Sequence, residues 1–132
     1  MHLVNFNILM VIILLFSCNN NITIDESENL LKKKELAVDS LIYLSDSLYN
    51  TPNYRDSLFD DLLQEAYTLS SDYELHKQRV NIYRKVGKRY RDKSEFGQAL
   101  KFYQNAFKIA NQMEDERLKA QIKGEMAVVF RR

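Results

Sequence analysis

The 132-residue chain has one cysteine, one proline, three glycines and no tryptophan. So little Gly and Pro leaves scant material for the tight turns that join many short strands. Long stretches are filled instead by Leu, Lys, Glu, Gln and Ala, residues that lose little freedom in a helix. The expected fold class is all-α. Histidine is also scarce: of the two, His2 lies beside an apolar leader, and that leader also carries Cys18. The rest of the chain holds one imidazole, His76, and no thiol. A disulfide, a cysteine nucleophile and a Cys-based zinc site are thereby excluded from it.

Charge of one sign is not in excess, since 19 Lys and Arg face 18 Asp and Glu for a net of +1. The balance hides a division. Residues 19–76 carry 4 basic and 12 acidic side chains, whereas residues 77–132 carry 15 basic and 6 acidic. Charge acts locally under physiological screening, so this separation matters more than the total.

A long apolar run is present only at the start. Residues 8–16 have no polar side chain, and the run ends at Ser17, Cys18 and three consecutive Asn. It is shorter than the roughly 20 apolar residues a spanning helix needs, and matches the core of a signal peptide. Leu15, Phe16, Ser17 and Cys18 then resemble the lipobox of bacterial lipoproteins, with an aliphatic residue at −3, a small residue at −1 and the Cys that is acylated. The resemblance implies removal of residues 1–17, lipidation of Cys18 and a polar tether over residues 18–27. A leader with a free Cys, or an interfacial helix, is the other reading. Asn19 rather than Asp after the Cys implies, by the same resemblance, the outer membrane of a bacterial envelope, facing the periplasm or the surface.

Self-comparison of the remainder, residues 28–132, is informative because a fixed period of 20 to 50 residues marks stacked helical hairpins. A shift of 40 places Leu63 on Tyr103, Ala66 on Ala106, Ile82 on Ile122, Val86 on Met126 and Tyr90 on Phe130. Within residues 80–113 the order Tyr83, Val86, Gly87, Tyr90, Phe96, Ala99, Tyr103, Ala106 resembles the tetratricopeptide repeat, a helix–turn–helix unit. The resemblance implies an α-solenoid of about five helices after the leader. Tyr83, Gly87, Tyr90, Ala99, Tyr103 and Ala106 would then be its packing positions, the small residues admitting a neighbouring helix and the aromatics filling the wedge between hairpins. The preceding repeat diverges, with Asp46 and Ser47 where Val86 and Gly87 stand later, and Phe59 in place of Ala99.

Apolar spacing and breakers predict helices over about residues 26–49, 54–70, 73–91, 95–112 and 115–132. Leu41, Leu44 and Leu48 are expected on one face of the first, which stops at Asn50, Thr51, Pro52 and Asn53. Ser94 is the expected N-cap of the fourth. The fifth carries Met126, Val129 and Phe130 on a face with no successor to cover it. That leaves two readings, a truncated piece of a longer array or self-association through the uncapped helix.

Chemistry finds little footing. His76 has Asp72 four residues before it, but two such groups make no metal site without a third, and no second His, Gly-rich loop or serine motif is present to serve a general base. Asp60 and Asp61 point about 100° apart on a helix and are expected to be solvated. The protein is therefore read as non-enzymatic, without metal or cofactor.

Basic residues crowd residues 77–93, with eight Lys and Arg against Asp92 alone. Tyr83 and Tyr90 interleave them, but both occupy repeat-core positions, and an exported lipoprotein does not meet nucleic acid in its compartment. By the family resemblance, Arg84, Lys88 and Arg91 line the concave side of the solenoid, where they could take a protein's acidic peptide segment. The family's carboxylate clamp asks for Asn where Lys88 stands and for basic residues where Gly124 and Val128 stand, so it is not implied. A solvated face, neutralised by the acidic first hairpin, is the other reading. The expectation is a non-catalytic interaction scaffold, exported and held to the membrane by its lipid. The alternative is the N-terminal sensory part of a longer bacterial regulator with a kinase or DNA-binding module beyond residue 132.

Overall fold

The computed structural model describes residues 3–51 and 56–131. The helix stop expected at Pro52 and Asn53 and the start expected at Tyr54 fall outside them. Among the described residues all regular structure is helical: α1 is Leu3–Tyr49, α2 Asp56–Asp72, α3 His76–Asp92, α4 Phe96–Gln112 and α5 Glu116–Phe130. Among the same residues no helix is long and apolar enough to cross a membrane. The backbone of α1 is helical through residues 18–27, the stretch read from composition as a tether. The chain divides into Met1–Lys33 and Lys34–Arg132, and both hydrophobic cores lie in the second unit.

Helices α2 to α5 begin at a constant interval of 20 residues, so a 40-residue shift lays α2 on α4 and α3 on α5. The buried positions obey the same shift. Phe59, Leu63, Ala66 and Ser70 of α2 become Ala99, Tyr103, Ala106 and Ala110 of α4. Ile42, Ile82 and Ile122 are buried at equivalent places on α1, α3 and α5. The architecture is all-α with hairpins packed in a repeating arrangement.

Three identical connections produce that interval. Glu74, Ser94 and Glu114 adopt left-handed φ values of 53°, 64° and 55°. In each turn the residue after them donates its N–H to a carbonyl five residues back: Leu75 to Ser70 (2.8 Å), Glu95 to Tyr90 (2.8 Å) and Asp115 to Ala110 (3.2 Å). The left-handed residue itself bonds three back, as from Ser94 to Arg91 at 2.9 Å. This satisfies the carbonyls orphaned at a helix end and reverses the chain in three residues. Ser94 therefore does not act as the N-cap expected of it. It closes α3, and Glu95 precedes α4 without a side-chain cap. Asp115 does cap α5, its carboxylate accepting from the Leu118 N–H at 2.9 Å.

Helix α3 is the centre of the unit. Residues two apart on a helix point about 200° apart, and Val80 and Ile82 accordingly enter different cores. Val80 joins Ala99, Tyr103, Ala106, Ile122 and Val129, whereas Ile82 joins Val38, Ile42, Phe59, Leu63, Ala66 and Leu75. The closest backbone packing is between α3 and α4, where Gly87, Ala99 and Ala106 are buried small residues. A Cβ on Gly87 would lie 3.0 Å from Cε1 of Tyr103, so this aromatic ring crosses α3 only because the position is glycine. Tyr83 and Tyr90 flank the same core half-buried, and Tyr90 stacks on Phe102 with ring centres 5.3 Å apart and planes 7° apart. Toward the first hairpin the packing is bulkier: Phe59 replaces the alanine and meets Tyr49 at 5.6 Å.

Two faces differ from expectation. On α1 the inward stripe is Val38, Ile42 and Ser45, with Leu41 and Leu48 half-buried and Leu44 exposed. The helix turns by a register that places Ile42, equivalent to Ile82, in the core. On α5, Met126 and Val129 pack into the core shared with α3 and α4, because α5 lies along α4. Phe130, 73 % exposed, is the member of that expected face that remains outside.

Candidate functional site

The basic residues of α3 become a site through what the neighbouring helices set against them. Arg84 forms a forked contact with Glu125 of α5, Nε at 3.1 and 3.0 Å from the two carboxylate oxygens and Nη2 at 2.5 Å. Lys85 pairs with Asp46 of α1. Lys88 donates to Asp92 at 3.1 Å and lies over the Tyr49 ring at 4.6 Å from its centre. Arg91 reaches the other oxygen of Asp92 at 3.0 Å. Arg89, on the opposite side, is buried against Phe59 and paired with Asp56 and Asp60 of α2.

Acidic residues of α1 and α2 thus neutralise Lys85 and Arg89, while Arg84, Lys88 and Arg91 are paired with carboxylates of the basic half itself. Asp92 collects the most contacts, accepting from Tyr49 Oη at 2.8 Å as well as from Lys88 and Arg91. Burial would raise the Asp92 pKa, but these hydrogen bonds outweigh it and hold the carboxyl below its usual value. The converse applies to Tyr49, where burial and then the Asp92 carboxylate push the phenol up to about 12.

Arg84, Lys88 and Arg91, the three groove residues expected from the sequence, do share one wall. With Asn81, Lys85, Tyr103 and Glu125 they line a cavity of about 290 Å³. A second hollow of about 300 Å³ adjoins it, sharing Asn81 and Arg84 and adding Glu35 and Asp39 from α1 and Gln121 from α5. Gln78, on its floor, donates to Glu35 at 2.8 Å. Together they make a trough along α3 with acidic groups toward α1, amides in the floor and cations toward the C-terminal end of α3.

Sequence reasoning missed Asn81, Lys85 and Glu125. The 40-residue register held the clue, because it places residue 125 where residue 85 stands one repeat earlier. Tyr103 was expected only as a packing residue. It is fully buried, yet it also lines this cavity, and its hydroxyl has no hydrogen-bond partner among the described residues. Burial pushes its pKa up to about 12, so the hydroxyl keeps its proton at neutral pH.

The other expected positions take no part. His76 and Asp72 are both exposed at the ends of the α2–α3 turn. Asp60 is tied to Arg89, while Asp61 is exposed. Among the described residues no three His, Cys, Asp or Glu side chains cluster to hold a metal ion. Acylation at Cys18 concerns a side chain outside those described. No protein-family model matches the sequence, and neither the curated proteins nor the solved structures yield a match.

Proposed function

We propose that this chain is a non-catalytic interaction scaffold of tetratricopeptide type, exported to the bacterial envelope and anchored at the outer membrane through acylated Cys18. Its trough along α3 docks an acidic segment of a partner protein. The observation that carries the reading is the convergence of Arg84, Lys88 and Arg91 on one cavity beside the close α3–α4 hairpin. Self-association through α5 belongs to the same reading, on Phe130.

Each cation there already has a carboxylate neighbour, so docking exchanges one partner for another and gains most from steering and register. The test is fluorescence anisotropy of a labelled oligo-glutamate peptide against the full chain in mild detergent. Changing Arg84, Lys88 and Arg91 together to Ser should abolish binding, and raised salt should weaken it. Equal binding by the wild type and the triple variant overturns the docking site. The anchor is tested by metabolic labelling with a palmitate analogue, which Cys18→Ala should abolish.

A further inference from the structure

The cavity between α3 and α5 is lined in part by Tyr103, whose hydroxyl is shielded from solvent and left unused by the fold. Tyr103 is 0 % exposed and its hydroxyl has no hydrogen-bond partner among the described residues. Stranding a buried hydroxyl is unfavourable, and folds seldom tolerate it without a use. The ring is held in place from behind by Gly87 of α3, which a Cβ would drive into it at 3.0–3.2 Å. Arg84, Lys85, Lys88 and Arg91 share the cavity with it.

Charge decides what such a pocket prefers. The four cations face three carboxylates, Asp46 on Lys85, Asp92 on Lys88 and Arg91, and Glu125 on Arg84. Within this cavity one positive charge is left over, Glu35 and Asp39 lying in the adjoining hollow. If Glu125 turns outward, two are left, which matches a dianion. Glu125 also disfavours a carboxylate ligand. It is itself a carboxylate, tethered by the chain at high effective concentration, so a single free carboxylate such as acetate gains nothing by replacing it, whereas a segment bearing several engages more than one cation at once. A phosphate dianion brings more charge to the guanidinium and a further oxygen for the Tyr103 O–H.

We infer that the α3–α5 cavity is a phosphate site in which Arg84 and Lys88 neutralise the dianion, Tyr103 donates the buried hydrogen bond, and Glu125 is a built-in competitor that the ligand displaces. The phosphate is either free or borne on a side chain of the docked segment. The second source rests on the docking reading above, and the first does not.

The experiment uses the full chain in mild detergent, with sodium phosphate and sodium acetate compared at equal ionic strength by thermal shift and calorimetry. Phosphate should raise the unfolding midpoint and acetate should not. Glu125→Gln should tighten phosphate binding. Tyr103→Phe should weaken it about tenfold, the loss expected for one hydrogen bond to a charged acceptor. The same Tyr103→Phe should raise the midpoint of the ligand-free protein, because it removes the stranded hydroxyl, and a weaker binder that is also a more stable protein cannot be dismissed as misfolded.

Equal effects of phosphate and acetate, or unchanged phosphate affinity in Tyr103→Phe, overturn the site. A phosphoserine peptide that binds more tightly than inorganic phosphate, and than its unphosphorylated twin, assigns the source to the docked segment. Equal or tighter binding of inorganic phosphate assigns it to the free anion. If the oligo-glutamate peptide binds while phosphate does not, the phosphate site falls and the scaffold stands. The reverse result removes the docking reading and leaves the phosphate site.

Discussion

At the scale of single residues, two glycines in helix interiors should answer the same substitution with opposite signs. Alanine is favoured over glycine inside a helix by about 1 kcal/mol. A methyl on Gly124 would meet open space beyond its own helix backbone, so Gly124→Ala should gain about 0.5–1 kcal/mol. At Gly87 the new methyl meets Cε1, Cδ1 and Cζ of Tyr103 at 3.0, 3.1 and 3.2 Å, and that ring is fully buried. Overpacking of this kind costs about 1–3 kcal/mol, so Gly87→Ala should lower stability by about 1 kcal/mol net. Urea unfolding followed by circular dichroism checks both. Stabilisation by Gly87→Ala would mean that α3 and α4 are further apart than described.

At the scale of the elements, the repeat is set by its turns. Among the described residues three non-glycine positions hold left-handed φ, a conformation that costs an L side chain about 1–2 kcal/mol. Ser94 is exposed and makes the turn through its backbone. Ser94→Gly should therefore raise stability by about 1 kcal/mol, whereas substitution of an N-cap serine would lower it. The sign of the change separates the two roles in one melt. Asp115 is the contrasting case: its carboxylate caps α5, so Asp115→Ala should cost about 1 kcal/mol, seen as faster amide exchange in the first turn of α5.

At the scale of the whole molecule, acidic residues of α1 and α2 pair with basic residues of α3, and pH acts on the neighbouring contact between Tyr49 and Asp92 from both ends. Asp92 has its carboxyl held below the usual value in the folded state. Its contribution is present above the unfolded-state pKa and is lost as pH falls through the lower folded one. Tyr49 and Tyr103 have folded values pushed up to about 12 from 10.0. The unfolded state therefore ionises first, so stability is unaffected by these groups below pH 10 and falls as pH rises toward about 12. The expected result is a urea midpoint that falls at both extremes, with Asp92→Asn and Tyr49→Phe each flattening its own limb. An acid limb unchanged by Asp92→Asn would mean that the cluster of Tyr49, Lys88, Arg91 and Asp92 does not form in solution.

Much of this was legible in the linear chain. Scarce Gly and Pro with abundant helix formers determined the all-α class, since those preferences act within one turn of backbone. The period of 40 and the small residues Gly87, Ala99 and Ala106 determined which helices approach closely, because close approach requires the absence of a side chain. Other features were decided only in three dimensions. A left-handed turn at Ser94 is set by the hydrogen bonds it closes with Tyr90 and Arg91, and serine is equally suited to open a helix. Burial of Met126 and Val129 depends on the angle at which α5 meets α4. The partners of Arg84, Lys88 and Arg91 come in part from other helices, Glu125 from 41 residues away and Tyr49 from 39 before Lys88, and no local spacing encodes such a meeting. The stranded hydroxyl of Tyr103 appears only when α3, α4 and α5 are packed together, since a polar atom has a partner, or lacks one, only relative to its neighbours in space.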